Sequence, residues 1–198
     1  MNKLIYRIFM QKIILVRHGE TEWALNGRHT GHTDITLTDQ GERQAKALTP
    51  LLKTFSFQQA FVSPLQRAKN TFHLSGLQTE FQLDNDLYEW DYGNYEGLTS
   101  PQILEKNPNW SIFTDGAPGG ESTKDIELRA DRILKKARQY SGDVAFFSSG
   151  HILRSIACRF LNLPIELGKH LVLSTASLSI LGYDRKNPAL LLWNRTLP

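Results

Sequence analysis

Apolar residues along this chain follow two rhythms. Short unbroken runs at 13–16 ("IILV"), within "QQAFVS" at 58–63 and within "DVAFFS" at 143–148 have the length and the β-branched or aromatic content of buried strands. Between them the spacing becomes helical. In "LTDQGERQAKALTPLLKTF" Thr38 can cap a helix carrying Asp39 and Glu42 in its first turn and Ala45, Leu48 and Leu52 on one face. "SPLQRAKNTF" predicts a second helix, with Ser63 as N-cap, Pro64 in the first helical position and Gln66 closing a capping box. A third starts after Ser122, with Asp125 three residues on. It aligns Ile126, Ala130, Ile133, Leu134 and Ala137 on one stripe and leaves Arg129, Asp131, Lys135 and Arg138 elsewhere. A further helix is expected over about 152–161. "HLVLSTASLSILGYD" and "ALLLWNRT" read as strands that alternate or pair as a hairpin. Residues 18–37 form a long polar loop in this reading, and 84–101 are acidic and aromatic without a clear period.

Strands alternating with helices predict an α/β fold: a three-layer sandwich with a mostly parallel central sheet and helices on both faces. The length of 198 residues suits one domain, expected over 10–198, with 1–9 as a short extension and Met10 as an alternative start. No repeat or low-complexity tract interrupts it.

Composition narrows the function by exclusion. Lys and Arg number 23 against 20 Asp and Glu, and the basic residues are scattered, so nucleic-acid binding is not indicated. Cys158 is the only cysteine, which leaves no internal disulfide, and its apolar neighbours predict a buried small hydrophobe. No run approaches the roughly 18 apolar residues of a membrane span, and the start lacks the marks of a signal peptide, so the expected location is the cytoplasm.

Sheets of this kind bind ligands beyond the carboxyl ends of their strands. Arg17 and His18 follow the first strand directly, His151 follows the "DVAFFS" strand, and Arg67 falls in the first turn after the second. All four therefore meet on one rim. Two arginines there can hold a phosphate dianion through charge-assisted bonds, aided by the positive end of the helix at Pro64. A neutral His18 can attack phosphorus and form a phosphohistidine, with Gly19 permitting close approach. His151 can donate to the equatorial oxygens. With this much positive charge no metal or other cofactor is required. The leaving alkoxide needs a proton, and Glu89, Asp91 and Glu96 in "LYEWDYGNYEGL" are all candidates, one of them having its pKa raised by burial beside Trp90 or Tyr92. His29 and His32 have a spacing that two zinc ligands can use, but no further ligand accompanies them nearby.

These motifs occur together as "LVRHGET" (15–21), "LTDQGERQA" (37–45), "SPLQRAKNT" (63–71), "LYEWDYGNYEGL" (87–98), "GGES" (119–122) and "SSGHILR" (148–154). In that order they resemble the histidine phosphatase superfamily, with its phosphoglycerate-mutase-like fold. The resemblance implies His18 as nucleophile, Arg17, Arg67 and His151 as the phosphate pocket, Glu89 as proton donor and Asn26 as a further phosphoryl contact. "TEWALNGRHTGHTDITLT" and the stretch from "LYEWDYGNYEGLT" to "GGES" look most like the sedoheptulose-1,7-bisphosphatase-type sugar phosphatases, since many other members carry Gln-Gly where Thr30-Gly31 stands. By that likeness Thr30, Gly31, Tyr92 and Arg154 shape the substrate pocket. Arg154, three residues beyond His151, shares its helical face and can meet a second phosphate.

The implied partner is a small phosphate ester. Rival readings are a phosphoglycerate mutase, disfavoured by the short arginine-free stretch after "YG", a phosphoprotein phosphatase, and a binding module without turnover. Homodimers are common in the family, and no apolar patch in the sequence demands one.

Overall fold

A computed structural model describes residues 11–197. The expected extension over 1–9 and the alternative start at Met10 lie outside the described residues. In chain order the elements are β1 (Ile13–Arg17), α1 (Glu22–Leu25), α2 (Asp39–Ala47), α3 (Thr49–Leu52), β2 (Phe57–Val62), α4 (Gln66–Leu74), β3 (Phe81–Leu83), α5 (Ser100–Leu104), α6 (Ile112–Asp115), α7 (Thr123–Ala137), β4 (Asp143–Ser148), α8 (Gly150–Phe160), β5 (Leu178–Asp184) and β6 (Asn187–Arg195).

One six-stranded sheet runs in the order β3-β2-β4-β1-β5-β6. β1 and β2 both pair with β4 in parallel, β3 pairs with β2 in parallel, and β5 and β6 add an antiparallel edge. The expected α/β sandwich with a mostly parallel sheet is therefore present, and its C-terminal strands form the hairpin.

Successive side chains of a strand point to opposite faces, and the central strands here are apolar on both. Ile13, Leu15, Phe61, Val144 and Phe146 face α7 and α8, whose Ile126, Ala130, Ile133, Leu153 and Ile156 complete one core. Ile14, Val16, Val62, Ala145 and Phe147 face the other way, onto Leu48, Leu52, Ala68 and Phe72. Two packed faces hold β1 and β4 rigidly, with Arg17 opposite Ser148 in register. Everything that follows those two residues starts from a fixed position.

Several local expectations change. The helix expected at Pro64 begins two residues later, with Leu65 at the N-cap and no side-chain cap. The cap comes instead from another loop: the Gln66 N–H donates to Asp34 Oδ1 at 2.8 Å, and the Gln66 amide donates to the Asp34 carbonyl. Ser63 Oγ, the expected cap, is buried without a partner. The 18–37 loop contains α1, capped by Thr21, whose side chain accepts from Ala24 N–H. α8 begins at Gly150 rather than 152, which places His151 inside its first turn. Arg129 lies off the apolar stripe but is buried, because Glu121 and the carbonyls of Asp86, Tyr88 and Glu89 take up its donors. The Ser122–Asp125 capping box is formed as expected. So is the cap of α2 by Thr38.

Gly19 serves packing rather than the ligand. A Cβ there would lie 2.3 Å from the carbonyl oxygen of Gly41 in α2, and one on Gly41 would lie 2.1 Å from the Glu20 carbonyl oxygen. The loop after β1 can cross α2 only because neither residue has a side chain.

Candidate active site

At the carboxyl end of β1 a cavity of about 100 Å³ is bordered by Arg17, His18, Glu89, His151 and Arg154, with Thr21, Ala24, Arg28, His29, Thr30, Tyr92, Gly150 and Leu173 completing the wall. Since a water molecule occupies roughly 30 Å³ of liquid, the space suits one compact group such as a phosphoryl.

His18 is 5% exposed, and its backbone is tied on both sides, donating to the Ser148 carbonyl and accepting from Ala176 N–H. Its Nδ1 lies 2.7 Å from the Gly19 carbonyl oxygen, an acceptor, so Nδ1 carries the proton. Nε2 is left with its lone pair. Burial, and then the charges of Arg67 and Arg17, hold the ring's pKa well below 6.5 and keep it neutral.

His151 is also kept neutral, chiefly by burial and then by Arg154, His29 and Arg17. Its Nδ1 makes a close hydrogen bond with the Tyr92 hydroxyl. Burial and the Glu89 charge push the Tyr92 pKa well above 10, so the phenol donates. The proton of His151 is thereby confined to Nε2, which makes it a donor.

Arg17 Nη1 donates to the Leu173 carbonyl, while Nε is buried with no partner. Gly150 lies directly against this guanidinium, the nearest neighbours of a Cβ there being Arg17 Cζ and Nε. Arg17 thus borders the cavity with one guanidinium N–H that no protein group among the described residues satisfies.

Arg67 does not border the cavity. It is fully buried behind it, with Nε 3.3 Å from Ser149 Oγ and its Nη atoms donating to the carbonyls of Thr30, Gly31 and Thr33. Burial lowers its pKa, countered by Glu89 and Asp34, yet it remains a cation whose field reaches His18. It therefore shapes the 30–33 loop as well as the local potential.

The three candidate acids separate by position. Glu89 is 4% exposed and borders the cavity; its Oε1 accepts from the N–H of Trp90 and Ile152, and its Oε2 from the N–H of His151. It sits at the N-terminus of α8, clamped between that helix and its own loop by these three backbone donors. Asp91 instead caps the turn at Gly93, and Glu96 accepts from the N–H of Gly31 and Thr33.

The remaining predicted residues divide. Thr30, Tyr92 and Arg154 border the cavity. Gly31 stands behind it, held too close to the Trp90 carbonyl oxygen (2.6 Å from a hypothetical Cβ) for any larger residue. Asn26 lies away from it, at the end of α1, with its amide donating to Glu22. His29 and His32 take different neighbours: His29 packs among Tyr92, Trp110 and His151, and His32 against Tyr88. Thr21, Arg28 and Leu173 line the cavity without having been singled out from the sequence. Thr21 closes the "RHGET" motif, a signal that could have found it, whereas Leu173 lies in a segment with none.

The fold and this rim define a phosphoglycerate-mutase-like histidine phosphatase. Residues 13–196 match the model of the histidine phosphatase superfamily (branch 1), and the chain belongs to that family. Among its relatives is an acid phosphatase of Mycobacterium tuberculosis, 42% identical over 177 residues covering 87% of each chain. Another is sedoheptulose 1,7-bisphosphatase of Saccharomyces cerevisiae, 31% identical over 78% of this chain and 69% of that protein. The solved structure of the open reading frame Rv3214 product from Mycobacterium tuberculosis superposes with a TM-score of 0.90 at 39% identity, over 94% of this chain and 98% of that one. The chain is thus a phosphatase acting on small phosphorylated substrates. No helix among the described residues is long and apolar enough to cross a membrane.

Proposed function

We propose that the chain hydrolyses sugar phosphates or bisphosphates, sedoheptulose 1,7-bisphosphate among them, through a phosphohistidine on His18. The observation that carries this is the tautomer of His18: with Nδ1–H given to the Gly19 carbonyl, Nε2 keeps a neutral lone pair on a residue that borders a phosphate-sized cavity.

In the first step His18 Nε2 attacks phosphorus and the bond from phosphorus to the ester oxygen breaks. The Arg17 guanidinium and Nε2–H of His151 hold the equatorial oxygens as charge spreads onto them. Glu89 in its acid form gives its proton to the departing oxygen. Oε2 is the suited atom, since it accepts one backbone N–H where Oε1 accepts two. In the second step the Glu89 carboxylate takes a proton from water, the oxygen of that water attacks phosphorus, and the P–N bond breaks to release phosphate and neutral His18.

Kinship with the yeast sedoheptulose 1,7-bisphosphatase supports a sugar substrate. So does Arg154, which borders the cavity and can meet a second phosphate. Glucose 6-phosphate, fructose 1,6-bisphosphate and sedoheptulose 1,7-bisphosphate, assayed for phosphate release with chelator present, test the reading. Release is expected from at least one bisphosphate and is lost in His18→Ala. Activity confined to a phosphorylated protein, or isomerisation of 3-phosphoglycerate without phosphate release, would contradict it.

A further inference from the structure

A second cavity, of about 210 Å³, adjoins the first: His29, His151 and Arg154 border both. On its other side it has an aromatic wall, Trp110 and Phe113, and one cation that borders this cavity alone, Lys169.

The Lys169 side chain makes neither an ion pair nor a hydrogen bond among the described residues. Its backbone is nevertheless fixed by the cavity wall. Arg154 Nε donates to the carbonyl of Gly168, the preceding residue, at 2.8 Å. Gly168 lies so close beneath Phe113 that a Cβ would be 2.4 Å from Phe113 Cε1. No residue with a side chain fits at 168 without moving that ring. The Arg154 guanidinium stacks over the same ring at 4.6 Å. Two wall residues therefore pin the turn over Ile165–His170 and hold the start of the Lys169 side chain at the cavity's edge. Arg154 is partly committed to that task. His29, with its pKa pushed down to about 4 mainly by burial, adds no charge between the two spaces.

Because His29, His151 and Arg154 border both spaces, a molecule whose phosphate enters the first has room for its remainder in the second. Taking the reaction at His18 as given, we infer that Lys169 reads a second anionic group on the substrate, so that esters whose leaving part carries another phosphate or a carboxylate are preferred to matched esters whose leaving part is neutral. The pair is exposed to solvent, so its effect is modest, about two- to fivefold in affinity.

Competition against p-nitrophenyl phosphate hydrolysis tests this without requiring that the competitor be turned over. The matched pairs are 3-phosphoglycerate against glycerol 3-phosphate and fructose 1,6-bisphosphate against fructose 6-phosphate. In the unmodified protein the more anionic member of each pair should inhibit about two- to fivefold more tightly. Lys169→Gln should reduce that ratio towards one with kcat for p-nitrophenyl phosphate unchanged, and Lys169→Arg should keep it. Lys186→Gln, in the turn between β5 and β6, controls for general field effects and should leave it intact. Equal inhibition within each pair, a ratio unmoved by Lys169→Gln, or an equal fall in Lys186→Gln would overturn the inference. Turnover of p-nitrophenyl phosphate surviving in His18→Ala is a different result, and it would overturn the reading of the first cavity.

Discussion

The two cavities that meet at His29 are built by opposite means. The first takes Arg17, His18 and His151 from the ends of buried strands and the first turn of α8, and Glu89 from a loop tied to that helix, so backbone hydrogen bonds set their positions. His18 is tied at both N–H and carbonyl, and Glu89 is clamped by three backbone donors. The second cavity shares His151 and Arg154 with the first but takes the rest of its wall from loops and short helices, α5, α6 and the stretch over Ile165–His170, held by side-chain contacts such as Trp110 Nε1 to the Gly116 carbonyl. Chemistry that tolerates little displacement is anchored in the sheet. Recognition of the remainder of the molecule is left to loops, where one substitution can change it without disturbing the core.

The largest effect that would break this division comes from paired variants. Glu89→Gln keeps the shape but removes the proton, and should lower kcat on an alkyl phosphate by on the order of 10² or more with little change in affinity for inorganic phosphate. Trp110→Ala, in the wall of the second cavity, should leave kcat on p-nitrophenyl phosphate unchanged and raise KM for sugar phosphates by less than about tenfold. A kcat effect from Trp110→Ala as large as that from Glu89→Gln would mean that the two regions do not divide chemistry from recognition.

A smaller effect sharpens the electrostatic side. His18 and His151 are both held well below 6.5, so neither takes a proton as pH falls through that value. The profile of kcat/KM should therefore stay flat through pH 6.5 and drop only further into acid; an acid limb centred near 6.5 would contradict the neutral, buried His18. Stability follows the opposite course. The unfolded chain binds protons at these histidines near 6.5 and the folded chain resists, for His29 down to about 4. Thermal melts should therefore show stability declining as pH falls from about 6.5 towards 4.

What the sequence makes legible follows the same line. β1, β2 and β4 announce themselves as apolar runs, and the groups at their ends, Arg17, His18 and His151, could be placed on one rim by the rule for parallel sheets. Choosing Glu89 over Asp91 and Glu96 from residue types alone was not possible, because all three lie in one aperiodic stretch. Only the fold shows that two of them hold turns and one borders the cavity. Arg67 is a related case: its first-turn position was predictable, its place behind the wall was not. That depends on Asp34, distant in sequence, starting α4 two residues late. β3, only three residues long and exposed throughout, has no buried face to mark it. The stretch 170–177, with Leu173, reads as strand in the sequence but precedes β5, which starts only at Leu178; Lys169 has no motif, so the second cavity emerges only from the packing of Gly168 beneath Phe113.

The most direct test of the central claim is to quench the protein during turnover of a phosphate ester and map the phosphoryl group by mass spectrometry under alkaline conditions, where a phosphoramidate survives. An acid-labile phosphoryl group on the peptide containing His18, absent from His18→Ala, is the predicted result. Steady turnover with that peptide unmodified, or with the label on another residue, would contradict His18 as the nucleophile.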